Sequence, residues 1–249
     1  MRKLRLTILA LSFATVLWAF AQQSPEVGSV KLYRYGELLR EHNIELTEPA
    51  LLRALKNPDA SVRYLAAMKL AEDKTFDATA AIREALAVEA VPRDQVNIAL
   101  ALGLLGDQTG REKLKGVCAD RSFVPEFRLY AVRYMFDLHS QTEECLAAAE
   151  QIAESKGAAI GDQIVALGLL PQFQNLTPEE SQKVSHLVIG RLADSEPVVR
   201  MAAGQSLASL GAASSIPPLE AAIAKEQDVN VRSVLEAQLR KLRDSAKEP

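Results

Sequence analysis

Few residues of this 249-residue chain could do chemistry: it has three histidines and two cysteines among 32 acidic side chains. His42, His139 and His186 lie far apart, and neither a His-Glu dipeptide nor an HxxxH spacing occurs. A metal centre needs several such ligands at workable spacing, so no metal, cofactor or catalytic residue is assigned. No glycine-rich phosphate loop or nucleophile elbow is present, and Gly204-Gln205-Ser206 falls inside a helical pattern, at core positions. Glu143-Glu144 reads as a solvated helix start. Asn175-Leu176-Thr177 has the form of a glycosylation acceptor in a loop, although the leader and Ala-rich repeats look bacterial. Cys118 and Cys145 could pair in an oxidising compartment. They fall nine residues after Thr109 and three after Thr142, on successive helices of the same kind. Six residues span about 9 Å along a helix axis, so stacking in phase keeps the two too far apart to bridge. The expectation is two buried free thiols.

The acids that recur do so for a structural reason. Asp59, Glu196 and Asp228 each stand four residues before an arginine: Arg63, Arg200 and Arg232. An acid in a first helical turn favours the helix dipole and can pair with a base one turn on. With the arginine as position zero, small residues follow at +3 and +4, leucine at +7 and often Leu-Gly at +10 and +11. These positions share one face of a 3.6-period helix. Gln95 and Arg128 fit the same slot, and Ile160 fits it least well. The anchors at 63, 95, 128, 160, 200 and 232 give steps of 32, 33, 32, 40 and 32. Asp94 breaks the acid pattern. Repetition at such a period predicts helical units that bury their apolar faces only by stacking.

A second apolar helix is expected after each anchor helix, over 48–56, 77–88, 111–118, 143–153, 178–192 and 216–224. Thr47, Thr75, Thr109, Thr142, Thr177 and Ser215 precede these as N-cap candidates. The glycine at +11 suits a left-handed helix end. The segments VRYLAAMKL from Val62, ALGLLGD from Ala101, VRMAAGQSLASLG from Val199 and IPPLEAAI from Ile216 resemble the HEAT repeats, notably the short repeats of the phycobilisome-lyase type. The resemblance covers most of the chain. It implies an all-α fold, a right-handed α-solenoid of stacked hairpins, over 31–243. It also implies a concave face lined by the second helices, where Arg53, Arg83, Lys115, Glu150 and Arg191 are candidate partner contacts. Phe173, the large apolar residue of the longer loop at 171–177, is another.

Residues 1–21 read as a signal peptide, with Arg2, Lys3 and Arg5 before an apolar run and Ala19 and Ala21 at the cleavage site. That run is shorter than a spanning helix needs, and retention of the leader as an uncleaved anchor is the alternative to cleavage. Residues 22–30 read as a linker and 244–249 as a flexible tail. Removing the leader takes away three basic residues and no acidic ones, so the formal charge moves from −3 to −6. An acidic chain without a basic stripe argues against a nucleic-acid partner. The sequence therefore points to a periplasmic or secreted, non-enzymatic scaffold for a protein or peptide partner. An accessory subunit of an exported enzyme is the alternative, and a lyase-like ligand carrier a third.

Overall fold

The computed structural model describes residues 35–245. The expected leader, with Ala19 and Ala21, and the linker lie outside that range, as does the end of the expected tail. Among the described residues the chain is all-helical, with thirteen α-helices and no strand. The helices are α1 (Tyr35–Glu41), α2 (Glu48–Ala54), α3 (Ala60–Glu72), α4 (Thr79–Val88), α5 (Pro92–Leu104), α6 (Gln108–Ala119) and α7 (Pro125–Asp137). They continue with α8 (Glu143–Glu154), α9 (Ile160–Leu169), α10 (Pro178–Arg191), α11 (Pro197–Leu210), α12 (Ile216–Lys225) and α13 (Val229–Ser245). The odd helices α1 to α13 pack one on the next, and each even helix packs on the odd helix that follows it.

Each odd helix from α3 onward carries a polar anchor on its fourth residue: Arg63, Gln95, Arg128, Gln163, Arg200 and Arg232. Gln163 therefore takes the place that the sequence reading gave to Ile160. Ile160 is the first residue of α9 and is exposed. With that correction the steps become 32, 33, 35, 37 and 32. The +3 and +4 residues are buried in α3, α5, α7, α9 and α11, and so are all six +7 residues, Leu70, Leu102, Met135, Leu170, Leu207 and Leu239. Gly204 shows how close the approach is, since a Cβ there would lie 2.3 Å from Leu235. Ser206 is also in the seam, donating to the Leu167 carbonyl (2.7 Å), whereas Gln205 is exposed.

The anchors do not pair with the acid one turn back. A helical side chain leans toward its own N-terminus, so each anchor reaches the linker or helix end before it. Arg63 donates to the carbonyls of Asn57 and Pro58, and Arg200 to those of Asp194 and Ser195. Gln95 donates to Glu89, Gln163 to Ala158, Arg232 to Glu226, and Arg128 to the Cys118 carbonyl in the last turn of α6. The carboxylates that answer the arginines come from the far side of the next even helix. Arg63 forks onto both oxygens of Glu89 (2.8 and 2.9 Å), and Arg200 onto both of Glu226 (2.7 and 2.9 Å). The acids expected as partners have other work. Asp59 and Asp228 cap their helices by accepting from Ser61 and from Asn230 and Val231, while Glu196 holds the cap position without a side-chain bond. Asp94 is fully buried against the Arg93 guanidinium.

The caps of the even helices also differ in part from expectation. Thr47 and Thr177 hold their positions, Thr177 in a capping box with Glu180, and the Thr142 hydroxyl accepts from Cys145 N–H. Thr75 instead opens a 3₁₀ turn, Phe76–Ala78, and Asp107 rather than Thr109 caps α6. Ser215 precedes α12, but its buried hydroxyl has no partner among the described residues. Left-handed residues close the odd helices eleven positions after the anchor: Gly106 and Gly211, but also Lys74 and His139.

The forks make stability depend on acid in a definite direction. The Arg200 fork, aided by backbone N–H groups, holds the Glu226 carboxyl below its usual range. A carboxyl depressed in the folded state contributes stability above its unfolded pKa and loses it as pH falls through the folded value. Urea unfolding from pH 6 down to pH 3 is expected to show this acid loss. The Glu226→Gln variant is expected to be less stable at pH 6 and to have a flatter acid limb.

Candidate functional site

The even helices carry every charged residue expected to meet a partner, but most of those charges already have partners within the chain. Arg83 of α4 pairs with Asp107 at the start of α6 (2.8 Å), and Lys115 of α6 with Glu144 of α8 (3.3 Å). Glu150 of α8 is buried and pairs with Lys183 of α10 (2.5 Å). Arg191 is also buried, bonded to Gln163 and to Asp194, and Glu220 of α12 is paired with Arg243 of α13. Arg53 alone of the five expected charged contacts is exposed without a partner among the described residues. Exposed pairs such as Lys115–Glu144 are worth about 0–1 kcal/mol. They tie neighbouring helices together more than they stabilise them.

The cysteines overturn the free-thiol reading. Cys118 and Cys145 form a disulfide with Cα atoms 4.9 Å apart, and no free cysteine remains. Equal-phase stacking does not occur: the last turn of α6 lies against the first turn of α8, and the Lys115–Glu144 pair marks the same offset. Nothing in the helix spacing alone could reveal that offset.

Between the even helices lie clefts. One of about 600 Å³ separates α8 from α10 and is lined by Glu154, Glu179, Lys183, His186, Leu187 and Arg191 among others. The Glu150 carboxylate raises the Lys183 ammonium above its usual value. Grooves of about 490 Å³ and 520 Å³ lie between α2 and α4 and between α10 and α12. They are lined by equivalent residues: Leu55 and Leu192, Asn57 and Asp194, Arg63 and Arg200, Ala85 and Ala222. Each pair is 137 positions apart.

The longer loop forms a separate polar cleft of about 890 Å³ with the α7–α8 turn. Its tie is Gln141, which donates to the Gln172 carbonyl and accepts from the Gln174 N–H (3.3 and 2.7 Å). Phe173, expected to meet a partner, is buried and packs edge-on against Phe136 at 4.8 Å. Asn175 is exposed at the loop tip with φ 57°. The residues missed from sequence are Glu89, Glu226 and Gln141. All three act across 26 to 33 positions, beyond any local pattern.

No protein-family model matches the chain, and none of the curated proteins matches it.

The disulfide closes a separation of 27 residues, so losing it is expected to cost about 3.5 kcal/mol by the chain-entropy account. Urea unfolding of a Cys118→Ser/Cys145→Ser variant is expected to show that loss, and the denatured wild-type protein is expected to carry no free thiol.

Proposed function

We propose that residues 35–245 form a right-handed, HEAT-like α-solenoid, and that the protein is an exported, non-enzymatic scaffold holding a protein or peptide partner on its even-helix face. The observation that carries this reading is the recurrence of one groove at equivalent positions between α2 and α4 and between α10 and α12. A repeated groove suits an extended partner, which can place side chains at intervals along a stack of like units. Val88, at the open end of the first groove, is 77% exposed, an apolar contact waiting for cover. The disulfide supports export, because such bonds persist in oxidising compartments such as the periplasm and the extracellular space. Release of the leader at Ala21 leaves an acidic chain suited to a partner other than nucleic acid.

Crosslinking and affinity capture of the tagged protein from its native envelope fraction tests this. One dominant protein partner is expected, with capture lowered about tenfold, on the order of 1.4 kcal/mol, by Val88→Glu together with Ala221→Glu at unchanged circular dichroism. Equal capture by that variant would count against the face.

A further inference from the structure

Three glutamates are buried among the described residues: Glu89, Glu150 and Glu226. Two are fully served. Glu89 receives the Arg63 fork and the Val91 N–H, and Glu226 the Arg200 fork and the N–H groups of Gln227 and Asp228. Glu150 is different. Its Oε2 accepts from Lys183 at 2.5 Å, while its Oε1 is buried with no partner among the described residues. A buried carboxylate oxygen left without a donor is costly, and an ammonium is a point charge that meets only one of the two oxygens. A guanidinium is a fork that meets both.

Lys183 lines the cleft between α8 and α10 and reaches Glu150, which is buried beside that cleft and not on its lining; the cleft itself selects for positive charge. Glu154 and Glu179 line it, both exposed and neither in an ion pair among the described residues, while the Glu154 charge acts on Lys183. Its two cations are already committed, Lys183 to Glu150 and Arg191 to Asp194. The remaining charge is therefore negative, with His186 the only other titratable group on the lining. The Lys183 side chain is 66% exposed while that of Glu150 is 6% exposed, so the ammonium has a path into solvent when displaced. Gly190 leaves open space where a side chain would stand.

We propose that this cleft takes an arginine side chain of a protein partner, whose guanidinium displaces Lys183 and forks onto both oxygens of Glu150. The proposal rests on the scaffold reading and specifies the chemistry its partner must carry. Glu154 and Glu179 flank the incoming charge and raise its local concentration. Lys183 is a tethered competitor that keeps the carboxylate occupied until the partner arrives, lowering apparent affinity as any competing state does.

The test titrates the full chain with a blocked, fluorescein-labelled pentapeptide bearing one central arginine between glycines, beside its lysine and citrulline counterparts, read by fluorescence anisotropy. The arginine peptide is expected to bind about tenfold more tightly than the lysine peptide, the value of one further charge-assisted hydrogen bond, and the citrulline peptide not measurably. Lys183→Met is expected to tighten arginine binding about threefold or more by removing the competitor, and Glu150→Gln to abolish it. Should Glu150→Gln unfold the protein, Glu154→Gln/Glu179→Gln, which leaves the buried pair intact, is expected to weaken arginine binding. Equal affinity for arginine and lysine peptides, or weaker binding by Lys183→Met, overturns the proposal. Partner capture from the envelope that survives both glutamate variants unchanged overturns the cleft assignment while leaving the scaffold reading standing. Arginine binding with no protein captured supports the cleft and removes the scaffold.

Discussion

The structure depends on one repeated hydrogen-bonding act: the fourth residue of each odd helix from α3 onward donates to a main-chain carbonyl of the segment before it. A helix end leaves carbonyls without intrahelical partners, and a linker leaves more. Serving them with a side chain from the next helix does two things at once. It removes the cost of unpaired backbone, and it fixes where the next helix must start. In two places the act becomes a relay. Arg63 forks onto Glu89, whose carbonyl accepts from Gln95, and Arg200 forks onto Glu226, whose carbonyl accepts from Arg232. Each relay crosses one complete repeat.

The middle of the molecule lacks these forks and is secured differently. A glutamine anchor, as at 95 and 163, carries one amide donor group and no charge, so it cannot hold a carboxylate across a repeat. Arg128 has Gln151 in place of a glutamate. There the chain uses a covalent tie, Cys118–Cys145, and the packing of α6 on α8. Grooves between even helices open at both ends and also between α8 and α10.

How much of this was readable in the sequence depends on the distance over which each residue acts. The anchors at 63, 95, 128, 200 and 232 were legible because their apolar followers repeat with helical period. The anchor at 163 was hidden by Ile160, which offers an apolar residue at a plausible step while Gln163 lies within the same turn. Partners of the arginines were illegible because they lie 26 positions away, so a nearer acid at −4 was the natural guess. The disulfide required the axial offset of α6 against α8, which no pattern encodes. Candidate binding residues were read from outward position alone. Position cannot tell an arginine without a partner among the described residues, such as Arg53, from one already tied to a neighbour, such as Arg191.

The most direct measurement is hydrogen exchange, followed by mass spectrometry, on Gln163→Ala beside Ile160→Ala. If the fourth-residue donor couples successive units, Gln163→Ala loses protection at the start of α9, in the 155–159 linker it serves, and at the end of α10, where Arg191 bonds the same side chain. Ile160→Ala leaves all three unchanged. Protection that is lost only in the first turn of α9, or lost equally in both variants, would contradict the account.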